Sequence, residues 1–251
     1  MTRMEKIEEI GFGGLKLVQR EDGFKFGVDA VILADFADSL FPQALEIADL
    51  GTGNGIIPMV LSHKNKKCHM TGIDIQEEAI ALADKSCRLN GLEDRIDFIR
   101  MDIAQMQDLR PDLQGRYDAV VTNPPYVGQG SGIANRRSAQ YIARQETTAD
   151  LECFIRTAAW MLGNRGHFFM VHRPSRLVDI LFYCRKHGLE PKDMRLVTPR
   201  RGEIPNLVMV HCVLRGGREL KVYEELAIRN ADGSYTAGIN AVYERENSLC
   251  L

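Results

Sequence analysis

The sequence predicts an α/β protein: a doubly wound, mainly parallel, seven-stranded sheet with helices on both faces, preceded by a small hairpin and helix. Three observations carry this. Short apolar runs alternate with longer helical patterns over most of the 251 residues, and such alternation builds βαβ units whose strands lie parallel. The runs Asp118–Val121 and His167–Val171 are largely apolar without alternation, as strands covered on both faces must be. No internal repeat and no Pro/Ser-rich linker divides the chain. One main domain is therefore expected over residues 41–251, with residues 1–40 as an extension packed on it.

The elements follow in order. Leu15–Arg20 and Gly23–Phe26 read as a small hairpin, and an apolar helix starts at Asp29. Ala44–Leu50 is a buried strand. Ile56–His63 is a helix that tolerates Pro58 in its first turn. Cys68–Asp74 is the second strand, and Glu77–Asn90 a helix stopped by Asn90-Gly91. Ile96–Arg100 is the third strand and Tyr117–Thr122 the fourth, ended by Pro124-Pro125. Asp150–Leu162 carries apolar residues at helical i, i+3, i+4 spacing. Gly166–His172, Pro174–His187, Lys192–Val197 and Leu207–Arg215 then give strand, helix, strand, strand. Residues 127–149 are polar and hold no core element; a loop that long is commonly functional or mobile.

Composition excludes several classes. With 45% hydrophobic and 26% charged residues the chain has enough apolar surface to fold. No apolar run approaches the length of a membrane span, and Met1–Ile10 lacks the apolar core of a signal peptide. The six cysteines are scattered without Cys-x-x-Cys or Cys/His clusters, so free thiols in a reducing cytoplasm are expected, and no metal. The formal charge of −2 speaks against a nucleic-acid partner only as an average. Residues 1–125 hold 14 Lys+Arg against 21 Asp+Glu, and residues 126–251 hold 18 against 13. The second half alone is basic, which removes that objection.

A chemical signal begins at Asp49-Leu-Gly51-Thr-Gly53-Asn-Gly55, between a strand and a helix. Glycines there let the backbone turn tightly and approach a ligand. Asp74 ends the next strand, where a carboxylate accepts hydrogen bonds from ribose hydroxyls. Asp102 follows the third strand, flanked by Ile103, within reach of an adenine amino group. Three acids at successive strand ends fall on the edge where open α/β sheets bind ligands. No Gly-Lys-Ser/Thr follows, so this is not a P-loop. The pattern resembles motif I of class I S-adenosylmethionine-dependent methyltransferases, which have a Rossmann-like sheet. The resemblance implies that Gly51, Gly53 and Gly55 face the methionine portion, Asp74 the ribose and Asp102 the adenine, with Asp49, Ile75 and Ile103 as further cofactor-binding residues.

Asn123-Pro124-Pro125-Tyr126 directly follows the fourth strand. Two prolines stiffen the backbone that presents the Asn side chain. The tetrad resembles motif IV of amino-methyltransferases, which methylate planar nitrogen. Such a nitrogen is a poor nucleophile because its lone pair is delocalised. The Asn123 oxygen and the Pro124 carbonyl would take its two N–H groups and free the lone pair, and Tyr126 would stack on the target base. Positioning then does most of the work.

Lys25–Ala34, Gly72–Ile75, Ala143–Glu146 and Asp232–Thr236 extend the likeness. The chain resembles the bacterial tRNA-valine adenine-N6 methyltransferases along nearly its whole length. That resemblance implies methylation of an anticodon-loop adenine, with Phe26–Asp29 over the cofactor and Asn123 in both sites. A cytoplasmic protein without membrane partner is expected; the sequence leaves the oligomeric state open, and a monomer is assumed. The rival is protein glutamine N5-methylation, which uses the same tetrad; its family carries an N-terminal helical domain, and only 48 residues precede Asp49. DNA adenine and rRNA guanine are further substrates for this chemistry, and a catalytically silent cofactor-binding interaction module is a different class again. Arg136, Arg137 and Arg144, just beyond the tetrad, are the expected RNA contacts, ahead of Arg173, Arg176, Arg200, Arg201, Arg215, Arg218 and Lys221. Arg suits phosphate because its planar fork binds two oxygens. No histidine is assigned a role.

Overall fold

The computed structural model describes residues 5–20, 27–126 and 149–244. The main sheet has eight strands, one more than expected, in the order β10-β8-β9-β7-β6-β3-β4-β5. They are β3 (Glu46–Leu50), β4 (His69–Asp74), β5 (Ile96–Arg100), β6 (Tyr117–Thr122), β7 (Leu162–His172), β8 (Leu189–Arg200), β9 (Leu207–Leu214) and β10 (Lys221–Arg229). β9 alone runs antiparallel to its neighbours. The eighth strand, β10, escaped the sequence reading for a physical reason. It lies at the sheet edge with Lys221–Glu225 exposed, and only Leu226 and Ala227 are buried, so it has no apolar run.

Helices cover both faces. α1 (Val28–Leu40), α2 (Ile56–Lys64) and α3 (Glu77–Leu89) pack on one side, where Val31, Leu33, Met59 and Leu61 are fully or almost fully buried. A short turn of helix, α4 (Met106–Leu109), then α5 (Leu151–Met161) and α6 (Leu177–Lys186), cover the other around Phe168, Ile155 and Ile180. Asp150 starts α5 by accepting from the Cys153 N–H at 2.8 Å, a side-chain N-cap. Trp160 packs against this second core.

The N-terminal hairpin is built differently from the expectation. β1 (Glu5–Glu9) pairs antiparallel with β2 (Lys16–Arg20), so the partner precedes Leu15, and Gly23–Phe26 lie outside the described residues. Glu5–Glu9 carries charge at four of five positions and gives no strand pattern. Ser86 Oγ accepts from the Val18 N–H at 2.9 Å, and Asn90 bonds both the N–H and the carbonyl of Lys16, which ties the hairpin to α3. A last helix, α7 (Ala237–Val242), buries Ile239 and Val242 in the first core. Asp232–Thr236 makes the turn before it: Asp232 Oδ1 accepts from Ser234, and Thr236 accepts from the Ile239 N–H.

Candidate functional site

The order in which the chain lays down its strands reverses between β3 and β6, parallel neighbours that are far apart in sequence. Such a switch point opens a crevice at the carboxyl ends of the strands. Register fixes what lines it. Leu50 pairs with Thr122 on one side and Ile73 on the other, so Gly51, Asn123 and Asp74 come to one level, each a residue past its pair. The Thr122 hydroxyl donates to the Leu50 carbonyl at 2.7 Å and locks β3 to β6 at that level.

The glycine turn is pinned to β4. Gly51 and Thr52 N–H both donate to the Ile73 carbonyl, and Gly53 N–H donates to Asp74 Oδ2 at 2.9 Å. Gly55 has φ +81°, and a Cβ there would stand 2.8 Å from the Phe98 ring, so turn and packing both require glycine. Gly53 has φ +55° and open space beyond it, which leaves room for a ligand against the backbone.

The three acids differ in environment. Asp49 has no exposed surface, and neither carboxylate oxygen has a hydrogen-bond partner among the described residues. Burial raises its pKa to about 7, with the Asp74 charge adding and the nearby Thr52 hydroxyl opposing. Asp74 is also buried and raised by desolvation, against which N–H donors from Gln76 and Gly53 act. Asp102 Oδ1 accepts from the Ala104 N–H at 2.9 Å and caps the turn Ile103–Gln105. Ile75 is half-buried next to Asp74, and Ile103 is buried.

The tetrad meets α1. Asn123 Nδ2 donates to Asp29 Oδ2 at 3.1 Å, and the Tyr126 hydroxyl lies 2.9 Å from Asn123 Oδ1 and 3.3 Å from Asp29 Oδ2. The Asn123 amide is thus held at both ends, and any further donor to Oδ1 must share or displace the Tyr126 hydroxyl. Among the described residues none donates to the Pro124 carbonyl. Burial and the Asp29 carboxylate push the Tyr126 phenol well above its usual range, so it stays a donor.

Two residues beside the tetrad were given no such place by the sequence. His172 ends β7, is 4% exposed, and sets its ring edge-on to Tyr126 at 5.0 Å. Its Nδ1 accepts from the Arg173 N–H at 2.8 Å, which puts the proton of the neutral ring on Nε2. Burial lowers its pKa to about 4. Arg173 stands over the Tyr126 ring at 5.4 Å. The available signal was position: both stand at the carboxyl end of β7, the neighbour of the strand that Asn123 follows. Phe26, Arg136, Arg137 and Arg144 lie outside the described residues.

The residues present suit a cationic nucleotide-like donor. Asp49 is an orphaned buried carboxylate, Gly53 leaves an open cradle, and Asp74 and Asp102 supply acceptors along the same edge.

The family model described as "Methyltransferase small domain" matches residues 29–179. A tRNA1(Val) (adenine(37)-N6)-methyltransferase of Tolumonas auensis is 25% identical over 213 residues, 84% of this chain and 85% of the relative. The protein of the same description from Klebsiella pneumoniae is 28% identical over 222 residues, 88% of this chain and 86% of the relative. Among solved structures, a "predicted O-methyltransferase" of Agrobacterium tumefaciens superposes with TM-score 0.69 at 23% identity, over 86% of this chain and 96% of that one. A 16S rRNA N2 G1207 methyltransferase of T. thermophilus, in complex with AdoMet and guanosine, superposes with TM-score 0.58 at 16% identity, over 84% of this chain and 51% of that one. These two likenesses carry the sheet architecture.

Proposed function

Because the chain belongs to the methyltransferase small-domain family and is a methyltransferase, we propose that it transfers a methyl group from S-adenosylmethionine to the exocyclic amine of an adenine in tRNA, in the anticodon loop of a valine tRNA. The observation that carries the chemistry is the juxtaposition of Asn123–Tyr126 with the glycine turn, one residue past a shared register level. The tRNA assignment is supported by relatives of that description aligned over more than four fifths of this chain.

S-adenosylmethionine supplies an electrophilic methyl on a sulfonium whose departure leaves a neutral thioether. Asp49, Gly51, Gly53 and Gly55 hold its amino-acid end, Asp74 with Ile75 the ribose, and Asp102 with Ile103 the base. Asp49 has no local hydrogen bonds to give up and gains a cationic partner, so it contributes most where its burial now costs most. Residues 1–40 act as an extension of the catalytic unit 41–251 and lend it Asp29; Phe26, proposed for the same cofactor site, lies outside the described residues.

Asn123 Oδ1 and the Pro124 carbonyl accept the two N–H groups of the target amine, and Pro125 fixes the backbone between them and Tyr126. Accepting both N–H bonds favours a pyramidal nitrogen and turns its lone pair outward. Asp29 orients the Asn123 amide by accepting from Nδ2. Tyr126 holds Oδ1 before substrate arrives and stacks against the base afterwards. The nitrogen becomes cationic on methylation and then releases its proton to water, so no base of matched pKa is needed. The target base must leave its stack to enter, which costs least in a loop. Arg136, Arg137 and Arg144 contact the RNA just beyond the tetrad, and the protein works in the cytoplasm.

The test is methyl transfer from labelled donor to bulk tRNA from a strain lacking this protein, with release factors as parallel acceptors. Label in tRNA supports the reading. Label in protein alone overturns it.

A further inference from the structure

Strand direction sorts the arginines of the basic half into two groups. β6, β7, β8 and β10 run the same way, and β9 runs against them. The carboxyl ends of β7, β8 and β10 therefore fall on the edge that carries the candidate site. Arg173 and Arg176 follow β7, Arg200 ends β8, Arg201 opens the turn to β9, and Arg229 ends β10 as the register partner of Arg200. Arg215 and Arg218 follow β9, and Lys221 starts β10, so these three sit at the opposite edge.

The carboxyl edge is thereby divided by charge. Asp49, Asp74 and Asp102 belong to β3, β4 and the end of β5, and the arginines to β7, β8 and β10, with Asn123–Tyr126 between them. Two acids on the arginine side are paired with arginines, and a third accepts from a neighbouring serine. Asp179 pairs with Arg176 at 2.6 Å, Glu203 with Arg200 at 3.3 Å, and Asp232 with Ser234. Arg173 and Arg201 are exposed, and neither has a carboxylate partner among the described residues.

Two further features point to a polyanion with exposed bases. Arg173 lies over Tyr126, next to the candidate target site, and Arg229 lies over Tyr235 at 4.5 Å. Ile204, in the same turn as Arg201, is 88% exposed, an apolar side chain standing in water beside guanidinium groups. From β6 to β10 is four strand steps, roughly 19 Å at ~4.8 Å each, which spans several phosphates of a nucleic-acid strand.

We infer that the carboxyl ends of β7, β8 and β10 form a phosphate track for the RNA strand flanking the target nucleotide, with Arg173 at the tetrad end and Arg200, Arg201 and Arg229 farther out. The inference rests on the tRNA reading above and names the surface that reading lacks among the described residues. Contacts of this kind position the substrate and do not read its sequence. They release counterions, so their loss is visible in the salt dependence of binding.

The experiment measures the affinity of bulk unmodified tRNA between about 50 and 200 mM salt for four proteins: wild type, Arg200→Ala/Arg201→Ala, Arg173→Ala, and Arg215→Ala/Arg218→Ala. Donor binding by calorimetry on each reports an intact fold. The slope of log affinity against log salt should flatten by about one per arginine removed at the carboxyl edge. The Arg215/Arg218 pair should leave slope and affinity unchanged. Arg201→Glu, at an exposed turn, repeats the test if the double variant does not accumulate, and should weaken binding more than Arg201→Ala. Equal losses from both edges, or a loss from the Arg215/Arg218 pair alone, overturn the track while leaving the tRNA reading intact. Wild-type protein that binds and methylates no tRNA, or that methylates a protein in its place, removes the tRNA reading and the track with it.

Discussion

Asp49→Asn isolates the cost of the buried carboxylate at the head of the glycine turn. The folded protein raises this pKa from 3.8 to about 7. At about 1.36 kcal/mol per unit the ionised form costs about 4 kcal/mol of stability above pH 7. Asparagine removes the charge but leaves a buried amide without a partner, at about 1–3 kcal/mol. The variant should therefore be about 1–3 kcal/mol more stable than wild type at pH 8 in the absence of donor. The sign fixes the pH course. With the folded pKa raised, the stabilisation due to protonation is fully present below 3.8 and is lost as pH rises through about 7. Wild type should lose about 1.4 kcal/mol per pH unit relative to the variant across that window. Urea unfolding of both proteins at four pH values between 5 and 8 reads the difference directly. Parallel profiles would show that Asp49 titrates normally and would refute the argument. The same carboxylate should make donor binding tighten from pH 6 to 8 in wild type and not in the variant.

Other expectations follow from single contacts. His172 is depressed from 6.5 to about 4, so its contribution is present above 6.5 and lost as pH falls toward 4, by up to about 3 kcal/mol; His172→Gln should flatten acid unfolding in that range. Its slope opposes that of Asp49, so single variants reveal pH dependence that wild type partly hides. Gly55→Ala meets Phe98 at 2.8 Å with φ +81° and should lower the unfolding free energy by about 1–3 kcal/mol, whereas Gly53→Ala, in open space, should cost about 1 kcal/mol and mainly weaken donor binding. Tyr126→Phe removes the hydroxyl on Asn123 and Asp29, worth about 1 kcal/mol, so kcat should fall about fivefold while donor affinity holds.

The fold was legible wherever burial on both faces left an unbroken apolar run, as in β6 and β7, or where a helix carried one apolar stripe, as in α5. It was illegible at edges. β1 and β10 are exposed, charged and paired on one side only, so their sequences record water and not a core. β8 extends from Leu189 to Arg200, beyond the expected Lys192–Val197, because its first residues alternate in burial and its last, Thr198–Arg200, run out from the core to water, so neither end carries an apolar run. In the site, the glycine turn, the acids and the tetrad could be placed from spacing because each sits at a strand end. His172 could not: its burial against Tyr126 depends on β6 lying beside β7. The division of the arginines between two edges depends on the reversed direction of β9, which no local pattern records.

The central claim is that Asn123 presents an adenine amine for methylation. Nucleoside mass spectrometry of tRNA after reaction with donor, for wild type and Asn123→Ala, tests it most directly. The account predicts N6-methyladenosine with wild type and none with the variant, while the variant still binds donor. A methylated product with the variant, or a methylated nucleoside other than N6-methyladenosine with wild type, would contradict it.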